Sequence, residues 1–280
     1  MPAINTNAAA NAAVRYLNLN SAQESSSLSK LSSGSRITSA SDDAAGLAIS
    51  TRISSDVTTL QQAATNASQA TSILQTADGG ASNISDILAR MKSLASESSS
   101  GTTTDDSRAY IQSEFSQLSS EIDSIASGTR YSGQGLLDGS SVFSGTGVAV
   151  MVGSASTDTI KVALSTLTAT ALGVATSGAG ALDVSTQTGA NAALTALDAA
   201  IKTVSGARAS IGAQESRFNF SADSISTQTQ NLQSANSAIR DVDIAAEQAK
   251  LSSAEVKTQA AVSAEAAANQ MPQYLLKLLG

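Results

Sequence analysis

Residues 53–95 read ISSDVTTLQQAATNASQATSILQTADGGASNISDILARMKSLA. Every seventh position from the first is apolar: Ile53, Leu60, Ala67, Leu74, Ala81, Leu88 and Ala95. Three residues further on, Ala63, Ala70, Ala77, Ile84 and Met91 are apolar as well, and only Asp56 is not. This spacing predicts a long helix that buries one seam against a partner helix. At the α-helical rise, roughly 45 residues make a rod of about 65 Å. Asp78-Gly79-Gly80 interrupts the middle, and each interior glycine costs about 1 kcal/mol relative to Ala. The register runs unbroken from Leu74 through Ala81 to Leu88, so one continuous helix with a soft point is expected.

A matching stripe lies far along the chain. Leu197, Val204, Ile211, Phe218, Ile225, Leu232, Ile239 and Ala246 recur at seven-residue spacing, and the two seams are expected to cover one another. A third helix is predicted over 105–127. There Ile111, Phe115, Leu118, Ile122 and Ile125 share a face. Asp105 or Asp106 is expected to cap its start and Gly128 to end it. From 138 to 190 Gly, Ser and Thr rise, and helical spacing fades. Val148–Val152 and Thr159–Ala163 read there as short strands around the turn-rich Gly153–Asp158.

The outer ends are weaker. Val14, Leu17, Leu28 and Leu31 form a broken stripe interrupted by Ser21 and Glu24. Near the other end Ala254, Ala261, Ala268 and Leu275 align, with Ala264, Met271 and Leu278 beside them. Short amphipathic helices of this kind are marginal in water, so these ends are expected to order only when something covers them. The fold class is therefore mainly α. A coiled-coil-like helical rod is built from N- and C-terminal segments, with a small β-hairpin or loop region in the middle. The expected domains are 1–42 paired with 236–280, 43–138 with 190–235 as the rod, and 139–189 as a small variable segment.

Composition excludes much chemistry. The 280 residues include no His, Cys or Trp and only four Phe and four Tyr. Such a chain suits narrow helix seams better than a broad aromatic core. Without Cys or His there is no thiolate nucleophile, Ser-His-Asp triad or common zinc site. No enzyme, cofactor or metal is expected, and no disulfide can form. A net charge of −7 and a pI near 4.6 argue against nucleic acid as a partner. No run of 18 apolar residues predicts a membrane span. The N-terminal residues lack the basic and apolar segments of a secretory signal. These features fit a cytosolic protein, or one exported by a route that needs no cleaved signal. Asp42-Asp43 reads as a helix cap rather than a catalytic pair. Gly79-Gly80 lacks the lysine and strand context of a phosphate loop. The Ser/Thr tracts at 98–104 and 154–159 read as solvated loops.

Several separate motifs, in order, resemble bacterial flagellins. They are Ile4–Asn7, LSSGSRITSASDDAAGLAI at 31–49, YSGQGLLDG at 131–139, IGAQESRF at 211–218 and NQMPQYLLKLL at 269–279. The resemblance covers roughly 1–140 and 190–280. The middle does not match and is short for the family. The resemblance implies a structural subunit that polymerises into the extracellular flagellar filament used for motility. It places the paired termini in the filament core, the helical rod around them and the variable middle outward. It also implies type III export without a cleaved signal peptide. The implied partners are further copies of the chain, an export chaperone, and cap and hook-associated proteins. It adds O-glycosylation as a second reading of the Ser/Thr tracts. In flagellins like those of enteric bacteria, the patch corresponding to Leu88–Ala95 is recognised by Toll-like receptor 5. Arg90 and Leu94 match that motif and Glu114 matches its acidic partner, whereas Ser93 departs from it and weakens the match. The plainer reading of Arg90 and Glu114 is contact between subunits. Two alternatives stay open. One is a hook–filament junction protein of the same family. The other is a secreted adhesin or carbohydrate-binding surface protein, although the middle segment holds no aromatic residue except Phe143.

Overall fold

The computed structural model describes residues 7–178 and 180–279, with side chains as far as Gln270. Five helices dominate: α1 (Ala8–Ser33), α2 (Ala44–Ser99), α3 (Asp105–Gly128), α4 (Gln187–Arg240) and α5 (Ile244–Leu279). Two small antiparallel pairs accompany them: β1 (Arg130–Tyr131) with β2 (Gln134–Gly135), and β3 (Val148–Met151) with β4 (Thr159–Val162). The chain forms two compact units. The first comprises 1–57 and 230–280, the second 58–229, and α2 and α4 contribute to both.

In the second unit α2 buries Leu60, Ala63, Ala67, Ala70, Leu74, Ala77, Ala81, Ile84, Leu88, Met91 and Ala95 in alternating three- and four-residue steps. One core joins this seam to Ala190, Ala193, Leu197, Ala200, Val204, Ile211 and Phe218 of α4 and to Ile111, Phe115 and Ile122 of α3. The helix is continuous across Gly79-Gly80 as expected, and the two glycines differ. A Cβ on Gly79 would meet nothing, whereas one on Gly80 would collide with Thr129 Oγ1 and Leu137. Gly80 is therefore where the turn after α3 approaches the helix backbone. The Thr129 hydroxyl is tied to the Ile125 carbonyl at 2.7 Å and cannot turn away without losing that bond. Gly79→Ala is expected to stabilise the protein by about 0.5–1 kcal/mol. Gly80→Ala is expected to destabilise it by about 1–3 kcal/mol through overpacking. Thermal unfolding of both variants tests this, and shifts of the same sign would contradict it.

Helix α3 spans nearly the predicted range, but its cap is Thr104, whose hydroxyl accepts from the Ser107 N–H. Asp105 and Asp106 occupy the first turn instead. Asp105 pairs with Arg108 at 2.8 Å. The buried Arg108 guanidinium also donates to the Ser98 and Ser100 carbonyls at 2.9 Å each, clamping the end of α2 to the start of α3. The β1–β2 pair was not read from spacing. Its loop is Ser132-Gly133, both at positive φ (50° and 82°), as a two-residue hairpin requires.

The β3–β4 hairpin matches the expectation, with Val148 opposite Val162 and Met151 opposite Thr159. The irregular chain that follows sends Leu167, Ala169, Val174 and Val184 into the helical core. Its backbone is satisfied partly by turns and partly by helix side chains, not by a sheet. The Gln214 amide brackets the N–H and C=O of Ala163 at 3.0 Å each. Asp123 accepts from the Ala169 N–H, Ser119 donates to the Val174 carbonyl, and Gln112 and Ser98 hold the two sides of Val184.

The first unit holds α1 and α5. Asn7 caps α1 and Gly34 ends it in the left-handed region at φ 67°. The next residues meet the end of α4. Ser35 bridges Asp241, and the Arg36 N–H donates to the Arg240 carbonyl at 2.6 Å. The apolar stripe predicted to run through Ala246 is broken here. Helix α4 stops at Arg240, Asp243 caps α5 by accepting from the Ala246 N–H at 3.0 Å, and Ala246 is exposed. Asp43 caps α2 in the same way, accepting from the Gly46 N–H at 2.8 Å. Asp42 accepts from the Thr38 hydroxyl and from the Thr38 and Ser39 N–H groups. Those bonds, the Thr38 hydroxyl first, hold its carboxyl below the ordinary aspartate value. Both carboxylates therefore organise backbone.

Candidate functional site

The terminal helices α1 and α5 lie antiparallel. Asn7 Nδ2 donates to the Ala268 carbonyl at 2.8 Å near one end, and Ser27 Oγ donates to Glu247 Oε1 at 2.7 Å near the other. Between them Thr258 Oγ1 reaches Glu24 Oε2 at 3.4 Å. On α5 the covered positions are Glu247, Leu251, Ala254, Ala261 and Ala268, with Thr258 and Glu265 half-buried between them. On α1 the one fully covered side chain among the described residues is Ser27, flanked by half-buried Leu17, Asn20, Glu24 and Leu31. The seam therefore mixes alanines and a few leucines with polar side chains.

Other large apolar residues lie outside it. Val14 and Leu28 are exposed, and so are Tyr16, Leu19, Val256 and Val262, between 38% and 68%. The expected assembly residues thus divide. Leu17, Leu31, Ala261 and Ala268 lie in the α1–α5 seam, while Val14, Leu28 and Ala264 face away from it. The side chains of Met271, Leu275 and Leu278 lie outside the described residues. Leu28 was expected on an apolar helical face, and it lies on the exposed one. The signal that places Glu247 in the seam is the alternating spacing 247, 251, 254, 258, 261, 265, 268, which passes through polar positions.

Glu247 is the unusual group of this seam, a carboxylate whose side chain is 6% exposed. Hydrogen bonds from Lys250 (2.9 Å) and Ser27 hold its carboxyl below the ordinary glutamate value, against the opposing effect of burial. A carboxyl with a pKa lowered by folding contributes stability above the unfolded carboxyl range, and that contribution is lost as pH falls through the folded value. Acid is therefore expected to loosen the α1–α5 contact, and Glu247→Gln to flatten this part of the acid titration. Helical content followed against pH in both chains checks it. Superimposable titrations would show that another group is responsible.

Among the expected seam residues of the long helices, Leu60, Leu74, Leu88, Val204, Ile211 and Phe218 are buried. Ile53, Leu232 and Ile239, which belong to the first unit, are half-buried. Arg90 and Glu114 meet on the surface, with Arg90 Nε and Nη2 donating to Glu114 Oε1 at 2.9 and 2.6 Å. Leu94 is 2% exposed and belongs to the core. No helix among the described residues is long and apolar enough to cross a membrane.

Residues 4–142 match the bacterial flagellin N-terminal helical region, and residues 194–279 match the bacterial flagellin C-terminal helical region. The chain belongs to the bacterial flagellin family. A flagellin of Halalkalibacterium halodurans is 37% identical over 276 residues, covering 99% of each chain. The flagellar filament 30.7 kDa core protein of Treponema maltophilum is 35% identical over 282 residues, again with 99% of each chain covered. The crystal structure of Bacillus cereus flagellin aligns with a TM-score of 0.50 at 29% identity, over 61% of this chain and 94% of that one. This flagellin is a structural subunit of the flagellar filament and not an enzyme.

Proposed function

We propose that this flagellin assembles when neighbouring copies cover the apolar faces that α1 and α5 turn away from each other. The observation that carries it is the inverted pattern of the terminal pair. Ser27, Glu247, Leu251 and alanines lie inside, with Leu17 and Leu31 half-buried beside them, while Tyr16, Leu19, Leu28 and Val256 lie outside. Covering these exposed side chains removes apolar area from water and offsets the entropy of ordering the ends. In this reading 1–42 with 236–280 form the filament core, 43–138 with 190–235 surround it, and 139–189 turns its loops outward. The filament is extracellular. The subunit reaches it without a cleaved signal peptide, attended by an export chaperone and by cap and hook-associated proteins. Electron microscopy of the purified chain tests this against the hook–filament junction alternative. Long filaments formed by the chain alone are expected, and their absence would contradict the assignment.

Recognition by Toll-like receptor 5 is a second reading, favoured by the surface pair of Arg90 and Glu114. Leu94 supports that surface from beneath rather than offering contact area. Ser93 remains the departure that weakens it.

A further inference from the structure

Two phenylalanines stand two residues apart on α4, in Phe218-Asn219-Phe220. Phe218 is completely buried and Phe220 is 73% exposed. Beside them Ala64, Ser68, Thr71 and Ser72 of α2, with Asn219 and Ala222 of α4, line a groove of about 340 Å³. Nothing charged lines it. Two residues subtend about 200° on a helix, so Phe220 projects from the other side of α4 from Ala222 and does not reach its own groove.

The charge of the second unit limits how copies approach. Residues 58–229 carry eight Lys and Arg against fourteen Asp and Glu. Bodies of one sign repel across most orientations, and an uncharged knob meeting an uncharged groove adds no like-charge contact to that repulsion. Exposed aromatic side chains that enter desolvated pockets supply most of the energy of many interfaces. A knob and a hole on different faces of one molecule make a heterologous contact, which propagates instead of closing on itself.

We propose that Phe220 of one copy of the chain seats in the groove between α2 and α4 of the next copy. This contact is a heterologous joint between 58–229 units in the polymer. The inference rests on the filament reading above and adds the residues of one joint outside the terminal helices.

A photo-crosslinking benzoyl-phenylalanine placed at Phe220 keeps an aromatic knob and reports what lies against it. Assembled filaments are expected to give crosslinks between copies within residues 64–75 or 219–222, and unassembled chains none. Phe220→Ala should raise the critical concentration for polymerisation about tenfold, in the range of an aromatic anchor. Its helical content and unfolding midpoint should stay unchanged. Ser68→Trp, which fills the groove from the opposite side, should raise the critical concentration likewise. Filaments whose crosslinks from position 220 fall elsewhere, or an unchanged critical concentration in either variant, would overturn the joint while leaving the filament reading intact. Absence of filaments from the unsubstituted chain would remove that reading and the joint with it.

Discussion

Chains lacking residues 1–31, or lacking 251–280, are expected to remain largely helical but to form no filaments. The core of the second unit is assembled from residues between Ala67 and Phe218, so neither deletion removes any of its members. Loss of α1 uncovers Leu251, Ala254, Ala261 and Ala268, and removes the Val14, Tyr16, Leu19 and Leu28 surface. Loss of 251–280 uncovers Leu17, Asn20 and Glu24, which lie between the Asn7–Ala268 and Ser27–Glu247 bonds, and removes Val256 and Val262. The remaining helix has no partner, and fixing its backbone costs roughly 1–2 kcal/mol per residue without compensating burial. Electron microscopy tests the loss of filaments, and circular dichroism tests how much helix remains. Filaments from either truncated chain would contradict the claim that the terminal pair drives assembly.

What the sequence revealed follows from how local each cause is. The α2 seam was legible because helix geometry alone spaces its side chains, whatever covers them. The continuity of α2 across Asp78-Gly79-Gly80 was legible for the same reason, since Leu74, Ala81 and Leu88 keep one register. The reason for Gly80 was not, because Thr129 and Leu137 approach it from about fifty residues away. The segment after β4 was also opaque. Its order comes from Gln112, Asp123 and Gln214, and those residues give no local sign of which distant carbonyl or N–H they meet. The cap of α3 was ambiguous because Thr, Asp and Asn serve that position comparably. At α1 the apolar stripe marked a helical face but not which of its neighbours meet α5. An antiparallel pair with a small-residue seam places Ser27 inside and leaves Leu28, the more hydrophobic neighbour, on the outer face. The break after Arg240 contains neither Gly nor Pro. The seven-residue repeat passes through it to Ala246, so only the capping bond of Asp243 exposes the boundary.

The two phenylalanines of α4 should separate folding from assembly. Phe218→Ala is expected to destabilise the second unit by about 3–5 kcal/mol. The upper part of that range applies because the vacated space has little to fill it. Phe115 and Phe218 are the largest fully buried side chains of a seam otherwise rich in alanine, and alanine neighbours have no rotamers with which to close a cavity. At about 2–4 °C per kcal/mol for a unit of this size, the unfolding midpoint should fall by about 10 °C. Phe220→Ala, two residues on, removes a ring that solvent already reaches, so its midpoint should match that of the unsubstituted chain. A calorimetric scan of unassembled chains measures both. Equal shifts in the two variants, or none in Phe218→Ala, would contradict the division of α4 into a face that closes the core and a face left for contact. With that division established, any filament defect of Phe220→Ala reports contact between copies and not a weakened subunit.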